Sequence, residues 1–206
     1  FYNQNPWPDV RAVFSWNGRH HESEWDNIGA PAVNTDYHLA SPHYVGAAVL
    51  HADASPDDPT DDTQQPKTTH YTGSNHETNS NQEPYNQSLM TQQWEMVTAG
   101  HPALTQAEDV RASGKAPSEW GEDEGGISSA MGFGPYDLAK GDSIRIVLAE
   151  AIGVISREKC YEVGYNWGYE TGDYVLPDGG TTSDRDEYKN AWVYTSEDSL
   201  FKQFRK

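Results

Sequence analysis

The sequence predicts a mainly β domain of the β-sandwich type, with a few short helices and long polar loops; an α+β fold is the alternative. Two observations predict this class. Apolar side chains are concentrated in a few short segments, above all residues 143–155 and 43–53, whose lengths suit strands. The remainder is polar, yet the chain has 7 Trp, 12 Tyr and 5 Phe. Because disordered chains are depleted in aromatic residues, we expect a single folded domain over residues 1–206.

Three segments are predicted to form strands. Residues 143–155 follow a turn at Gly141, which can adopt a positive φ without a steric penalty, and they become apolar on both faces. A strand that is apolar on both faces is typical of the covered centre of a sheet, so we expect it there. Residues 43–53 contain small side chains where another layer would approach closely, and they predict an inner neighbour. Residues 9–16 end in an Asn-Gly turn dipeptide and predict a third strand.

Apolar residues at helical spacing predict helices elsewhere. One is expected over residues 88–97 with Ser88 as its N-cap, and another over 156–167, opened by Ser156. A third helical stripe near the end of the chain follows Ser196, which is interpreted as its N-cap. The polar or glycine-rich segments 54–88, 116–134 and 178–190 are predicted to be loops.

The charge of the chain excludes some partners. It has 32 Asp and Glu against 14 Lys and Arg, a formal net charge of -18. Such a surface repels phosphate backbones and anionic lipid headgroups, so we expect no nucleic acid partner. No apolar run approaches the roughly 20 residues that a membrane span needs. The single cysteine, Cys160, excludes an intramolecular disulfide and is interpreted as a small buried residue.

The two ends of the chain suggest a larger parent. The first residue is Phe1 rather than Met, and the helical stripe of Leu200, Phe201 and Phe204 stops at the chain end. We therefore expect the chain to be part of a longer polypeptide.

A cluster of carboxylates is a candidate calcium site. Calcium takes six to eight oxygen ligands, and five aspartates lie within ten residues here. Their spacing lacks the central Gly and terminal Glu of an EF-hand, and a solvated acidic loop is the alternative interpretation. A separate candidate is a transition-metal site: His51 lies two residues before Asp53 at a predicted strand end, so both side chains would point the same way, and ordinary histidine hydrogen bonds are the alternative. The candidate calcium ligands are Asp53, Asp57, Asp58, Asp61 and Asp62.

Aromatic residues in predicted loops are candidate sugar-binding groups. Trp120 and Tyr136 could provide stacking platforms for sugar rings, and Glu119 with Glu122 could supply the two carboxylates of a glycoside hydrolase. Pairs of this kind also occur by chance in an acidic protein. The chain contains no GxSxG, SxxK, HExxH or Gly-rich phosphate-loop motif. We assign no catalytic residue, and the missing motifs favour a role other than catalysis.

One pair of segments suggests a family. GPYDLAKGDSIRIVLAEAIG, residues 134–153, resembles a segment of large exported proteins of environmental bacteria, in which an aromatic residue, a Gly-Asp-Ser turn and a long apolar strand recur in an extracellular β-sandwich. SPHYVGAAVLHAD, followed by DDTQQP, is similar to the other half of the same group. Lys140 departs from the pattern, which has Pro before the Gly. The resemblance implies an extracellular or cell-surface location and implies no catalytic residue.

Together these observations predict a non-enzymatic extracellular or cell-surface module with a structural or adhesive role. We expect it to be a subunit of a fibre or surface assembly, stabilised by Ca²⁺. Its partners would be further copies of itself or other domains of a longer polypeptide. The alternatives are a carbohydrate-binding module and a fragment of a secreted carbohydrate-active hydrolase, each with a glycan as its ligand.

Overall fold

The computed structural model describes residues 7–16, 33, 36–39, 42–73, 85–104, 112 and 127–206. Within them, strands and helices hold about equal numbers of residues, and every strand pair is antiparallel. The architecture of this part is therefore α+β, the alternative fold class, rather than mainly β. The physical reason is a long C-terminal helix, which covers the face of the main sheet where a sandwich would place its second sheet.

The elements are numbered here in chain order. The strands are β1 Ala12–Trp16, β2 Tyr44–Ser55, β3 Asp58–Asp61, β4 Thr68–Gly73, β5 Ile127–Gly132, β6 Ile146–Gly153, β7 Tyr174–Val175 and β8 Thr181–Thr182. The helices are α1 Gln87–Thr98, α2 Arg157–Tyr169 and α3 Arg185–Phe204.

The main sheet has four strands, with β2 at its centre. β1 pairs with one side of β2, in the register Ala12 to Ala48, and β6 pairs with the other side, in the register Tyr44 to Gly153. β3 returns along the end of β2 as a hairpin. Two smaller sheets consist of β4 with β5 and of β7 with β8. The predictions of strands at 9–16, 43–53 and 143–155 are confirmed, but the central strand is β2 and not β6.

Helix α3 packs closely on one face of the main sheet because small residues lie beneath it. A Cβ atom added at Gly153 would meet the backbone of α3, and one added at Gly46 would meet the Phe14 and Leu200 side chains. This confirms the prediction that another layer approaches the strand at 43–53. The core between helix and sheet contains the buried side chains of Phe14, Tyr44, Val193, Leu200 and Phe201.

The predicted loops contain strands that the sequence pattern does not indicate. Segment 54–88 includes β3 and β4, and segment 116–134 includes β5. Their sequences, DPTD, TTHYTG and ISSAMG, lack apolar alternation, so backbone pairing and not a hydrophobic face defines them. Segment 178–190 contains β8 and the first turns of α3. These loop predictions are therefore wrong for the strand and helix residues concerned.

The helix predictions hold in position but less well in their caps. Ser156 caps α2 as expected, and its hydroxyl accepts a hydrogen bond from the backbone N–H of Lys159. Helix α1 is capped by Asn86 and not by Ser88. Helix α3 begins after Asp184, whose carboxylate accepts two backbone N–H groups, so that Ser196 lies fully buried inside the helix. The negative charge of the Asp184 carboxylate also complements the positive end of the helix dipole, which favours a start at this residue.

Candidate interaction surface

Strand β6 forms one edge of the main sheet. Its 8 residues pair with β2, from Gly153 opposite Tyr44 to Ile146 opposite Ala52. In the described part of the chain, no strand pairs with its other side. In an antiparallel strand every second residue directs its N–H and C=O groups away from the neighbour, which here makes about four residues. These backbone groups are available to another strand.

The side chains of β6 are apolar on both faces for two different reasons. On the α3 face, small residues ending in Gly153 allow the helix to approach. On the other face, Ile146, Leu148 and Ile152 are exposed, and Ile152 retains 59% of its accessible surface. The expectation that residues 143–155 are covered on both sides is therefore wrong. The sequence pattern of residues 143–155 indicates that both faces are apolar, but it does not indicate what covers them.

Edge strands usually carry features that prevent further pairing, and β6 has few of them. Lysine, proline, a bulge or an inward-pointing charge are the usual forms of protection. The sequence of β6, IVLAEAIG, has no lysine or proline and one charged residue, Glu150. The irregularity in this ladder lies in β2, between Val49 and His51, so the outer edge of β6 stays regular.

A shallow groove lies over β1, β2 and β6 on the face of the main sheet away from α3. Its volume is about 490 Å³, and Ser129 of β5 and Glu150 of β6 contribute polar groups to its lining. The rest of the lining is mainly apolar, with Val13, Val45, Ala47 and Ile152. Exposed apolar surface of this kind next to an unpaired strand edge is typical of a protein interaction site.

The predicted calcium ligands are placed by the ends of β2 and β3, and Asp61 has a strong protein partner. The Arg11 guanidinium donates to both of its carboxylate oxygens, at 3.0 and 2.9 Å, and to the backbone carbonyls of Asp62 and Gln65. The backbone N–H of Ala52 donates to the same carboxylate at 2.9 Å. Asp61 therefore ties β3 to β1 and β2.

Asp53 holds the start of β6. Its Oδ1 lies 2.7 Å from His51 Nε2, and its Oδ2 accepts the backbone N–H of Arg145 at 2.7 Å. The backbone N–H of Asp53 donates in turn to the carbonyl of Arg145. The hydrogen bond with His51, together with that from Arg145, lowers the pKa of Asp53. His51 and Asp53 thus point the same way, as their spacing predicts, and the ordinary hydrogen bond between them accompanies a structural role for the carboxylate.

The other three aspartates do not join a common centre. Asp58 accepts the hydroxyl and the backbone N–H of Thr60, which lowers its pKa. Asp62 accepts the backbone N–H of Gln64 and lies 3.7 Å from the Lys67 ammonium. Asp57 is exposed in the β2–β3 turn. Across the described ranges, no group of three or more His, Cys, Asp or Glu residues could hold a metal ion. A calcium site stays a prediction.

The two candidate sugar-binding residues have different outcomes. Trp120 lies outside the described residues, as do Glu119 and Glu122. Tyr136 is partly buried, and burial raises the pKa of its hydroxyl, as do the nearby carboxylates of Asp62 and Asp53. Tyr136 lies two residues after Gly134. The Gln65 side-chain amide accepts a hydrogen bond from the N–H of Gly134 and donates one to its C=O. Tyr136 thus lies near Asp53 and is partly buried, and its role in sugar binding stays a prediction.

Sequence reasoning missed the two arginines that organise this region. Arg11 and Arg145 are distant in sequence from the aspartates they bind, and nothing in the local pattern pairs them. Cys160 is half-buried on α2, and burial raises the pKa of its thiol, in agreement with an unreactive packing role.

No described helix has the length and apolar character needed to cross a membrane. A comparison of the chain with protein-family models, with curated proteins and with solved structures finds no match.

Proposed function

We propose that the protein is a non-enzymatic structural module of an extracellular or cell-surface assembly, and that it associates with a second copy of itself through the free edge of β6. The observation that carries this proposal is a regular strand edge with exposed apolar side chains, with which no strand of the described ranges pairs. The extracellular location is supported by the acidic composition and by the resemblance of residues 134–153 to exported proteins.

A second copy is a suitable partner for this edge because a two-fold axis pairs a strand with itself in antiparallel orientation. With the axis at Ala149, Ile146 of one copy lies opposite Ile152 of the other, and both point away from α3. Two four-stranded sheets would join into one continuous sheet.

The net charge of -18 gives this association a distinctive salt dependence. Copies with the same large negative charge repel one another at low ionic strength. The screening length falls from about 10 Å at 0.1 M salt to about 3 Å at 1 M, so added salt weakens the repulsion. Apolar burial and backbone hydrogen bonds are less affected, so association should strengthen as salt is added. An interface held by ion pairs would respond in the opposite direction.

Sedimentation velocity at 50 mM and 1 M NaCl tests the proposal, with the wild type compared with Ile152→Lys. Lysine at this position places a charge on the edge that must lose water on pairing, so we expect this variant to be monomeric at both salt concentrations. Leu138→Lys is the matched control because Leu138, at 56% exposure, is similar to Ile152 but lies outside the main sheet. It should associate like the wild type.

A wild-type chain that stays monomeric at 1 M NaCl and at concentrations near 100 μM would overturn the proposal. So would an Ile152→Lys variant that associates as strongly as Leu138→Lys. Hydrogen exchange provides a second readout, because the outward amides of β6 should become protected only in the associated form.

Calcium stabilisation is a separate part of the proposal, supported by the density of carboxylates in residues 53–62. Treatment with EDTA should lower the melting temperature if calcium is bound, and Asp58→Asn should reduce that shift. An unchanged melting temperature after chelation would remove calcium from the proposal without affecting the β6 association.

A further inference from the structure

A second surface, which involves no residue of β6, lies at the C-terminal end of α2. A cleft of about 220 Å³ opens there between α2, α3 and β7. Its walls carry hydrogen-bond acceptors and its floor is aromatic. Its lining includes Glu162, Asn166, Glu170, Asp173, Tyr174 and Tyr188.

The floor of the cleft is a fixed pair of tyrosines. The Tyr174 and Tyr188 rings stack with their centroids 5.0 Å apart, and both residues are buried. The Tyr174 hydroxyl donates to the backbone carbonyl of Glu170 at 2.7 Å, and the Asn166 side chain donates to the Tyr188 hydroxyl at 3.0 Å. Tyr174 is 8% and Tyr188 2% exposed, so the pair fixes the shape of the cleft, and a preorganised site reduces the entropic cost of binding.

Two more tyrosines of α2, Tyr165 and Tyr169, are next in sequence to the lining residues Asn166 and Glu170. Tyr165 and Tyr169 are each about half exposed, and their ring centroids are 4.9 Å apart. The ring centroids of Tyr37 and Tyr169 are 4.1 Å apart. Tyr37 fits here because Gly168 has no side chain, and a Cβ atom at that position would meet the Tyr37 ring. Residues three or four apart on a helix are neighbours, so these rings lie beside the row that contains Asn166. Aromatic faces thus continue from the floor to the outer surface.

One carboxylate that lines the cleft, Glu162, is already paired with the Lys159 ammonium at 2.7 Å. Glu170 and Asp173 make no ion pair with a basic residue in the described part of the chain, and the lining contains no Lys or Arg. Helix α2 also has no basic residue in its last turn, where the negative end of a helix dipole is usually complemented by a cation. The carboxylates and the helix terminus therefore act in the same direction.

Near the cleft, basic side chains of the protein itself pack against aromatic rings and lie close to carboxylates. The Arg185 guanidinium lies 4.4 Å from the centre of the Trp167 ring, whose Nε1 donates to Asp186 at 2.7 Å. The Lys159 ammonium lies 4.1 Å from the Trp192 ring and forms an ion pair with Glu162. In both places a cation, an aromatic face and a carboxylate meet. In the cleft, Glu170 and Asp173 lie near aromatic residues, and no described basic residue pairs with them.

We propose that this cleft binds an alkylammonium or guanidinium group. The carboxylates of Glu170 and Asp173 accept its charge-assisted hydrogen bonds, and the exposed Tyr169 ring, next to Glu170 on α2, contacts its apolar stem. The group could belong to a free organic amine or to a Lys or Arg side chain of a polypeptide. The net charge of the protein attracts either one.

Titration with n-butylguanidinium and n-butylammonium chloride tests this site, with the backbone amide of Gly172 followed by NMR. We expect a saturable shift that NaCl at the same concentration does not produce. Glu170→Gln and Asp173→Asn should each weaken binding about fivefold. Asp198→Asn is the matched control: it removes the same charge from an exposed position on α3, about 15 Å along the helix from Tyr188, and should change affinity less than twofold.

The source of the cation is distinguished by the peptide Gly-Arg-Gly-Arg-Gly and its neutral citrulline counterpart. Tighter binding of the arginine peptide than of n-butylguanidinium indicates a polypeptide ligand, whereas the reverse indicates a free amine. The proposal is overturned if no cation gives a saturable shift at 10 mM. It is also overturned if the three charge variants bind equally, or if cellotetraose saturates the site while the cations do not. The melting temperature of each variant confirms that it is folded.

Discussion

The Arg11–Asp61 pair allows a quantitative test of how strongly β3 is held to the rest of the main sheet. The Arg11 side chain is 9% exposed and donates four hydrogen bonds, two of them to the Asp61 carboxylate. Arg11→Met keeps most of the apolar stem and removes the charge. Leaving one member of a buried pair alone costs about 3–5 kcal/mol. Because Asp61 is 31% exposed and can regain some water, we expect a cost near the lower limit, about 3 kcal/mol.

Urea unfolding followed by tryptophan fluorescence measures this cost, provided that the m-value is unchanged. A double-mutant cycle with Asp61→Asn should give a coupling energy of about 2 kcal/mol. Arg205→Met is the control, because Arg205 forms an exposed ion pair with Asp9 at 3.2 Å and should lose less than about 1 kcal/mol. The reasoning fails if Arg11→Met costs no more than the control, or if the coupling energy is within about 0.5 kcal/mol of zero.

Three further outcomes follow from the packing and the electrostatics. Gly153→Ala should destabilise by about 2 kcal/mol in urea unfolding, because its Cβ would meet the backbone of α3, and a neutral result would contradict the close approach. Gly168→Ala should displace the Tyr37 ring and alter the near-ultraviolet circular dichroism; an unchanged spectrum would count against that contact. The pKa of Asp53 is lower in the folded state, so its ionised form stabilises the fold at pH values above the unfolded-state pKa of about 3.9. This contribution is lost as the pH falls through the lower pKa of the folded state. Asp53→Asn should therefore flatten the melting temperature between pH 5 and 2, and a profile parallel to the wild type would argue against the assignment.

The strands that the sequence predicts are those with many apolar side chains. Segments 43–53 and 143–155 are rich in apolar residues, and both become strands of the main sheet. Their order in the sheet was not predictable, because an apolar outer face looks the same whether another layer of the same chain or another molecule covers it. The polar strand β3 was missed, since its partners and not its own side chains define it.

The candidate sites were only partly visible in the sequence. The density of aspartates near Asp53 was readable, but their partners, Arg11 and Arg145, lie elsewhere in the chain. The tyrosine row of α2, in contrast, is present in the sequence YEVGYNWGY at intervals of four residues. That signal is sufficient to place the tyrosines on one face of a helix, although the cleft beside them depends on β7 and α3.

Mechanical load passes through a sheet differently along its strands and across them. β6 and β2 share an antiparallel ladder from Tyr44 to Ala52, with hydrogen bonds perpendicular to the strands. A pull parallel to the strands shears all of these bonds at once, whereas a pull across them opens the bonds one after another. A fibre whose axis runs along β2 would therefore resist stretching better than one whose axis crosses it.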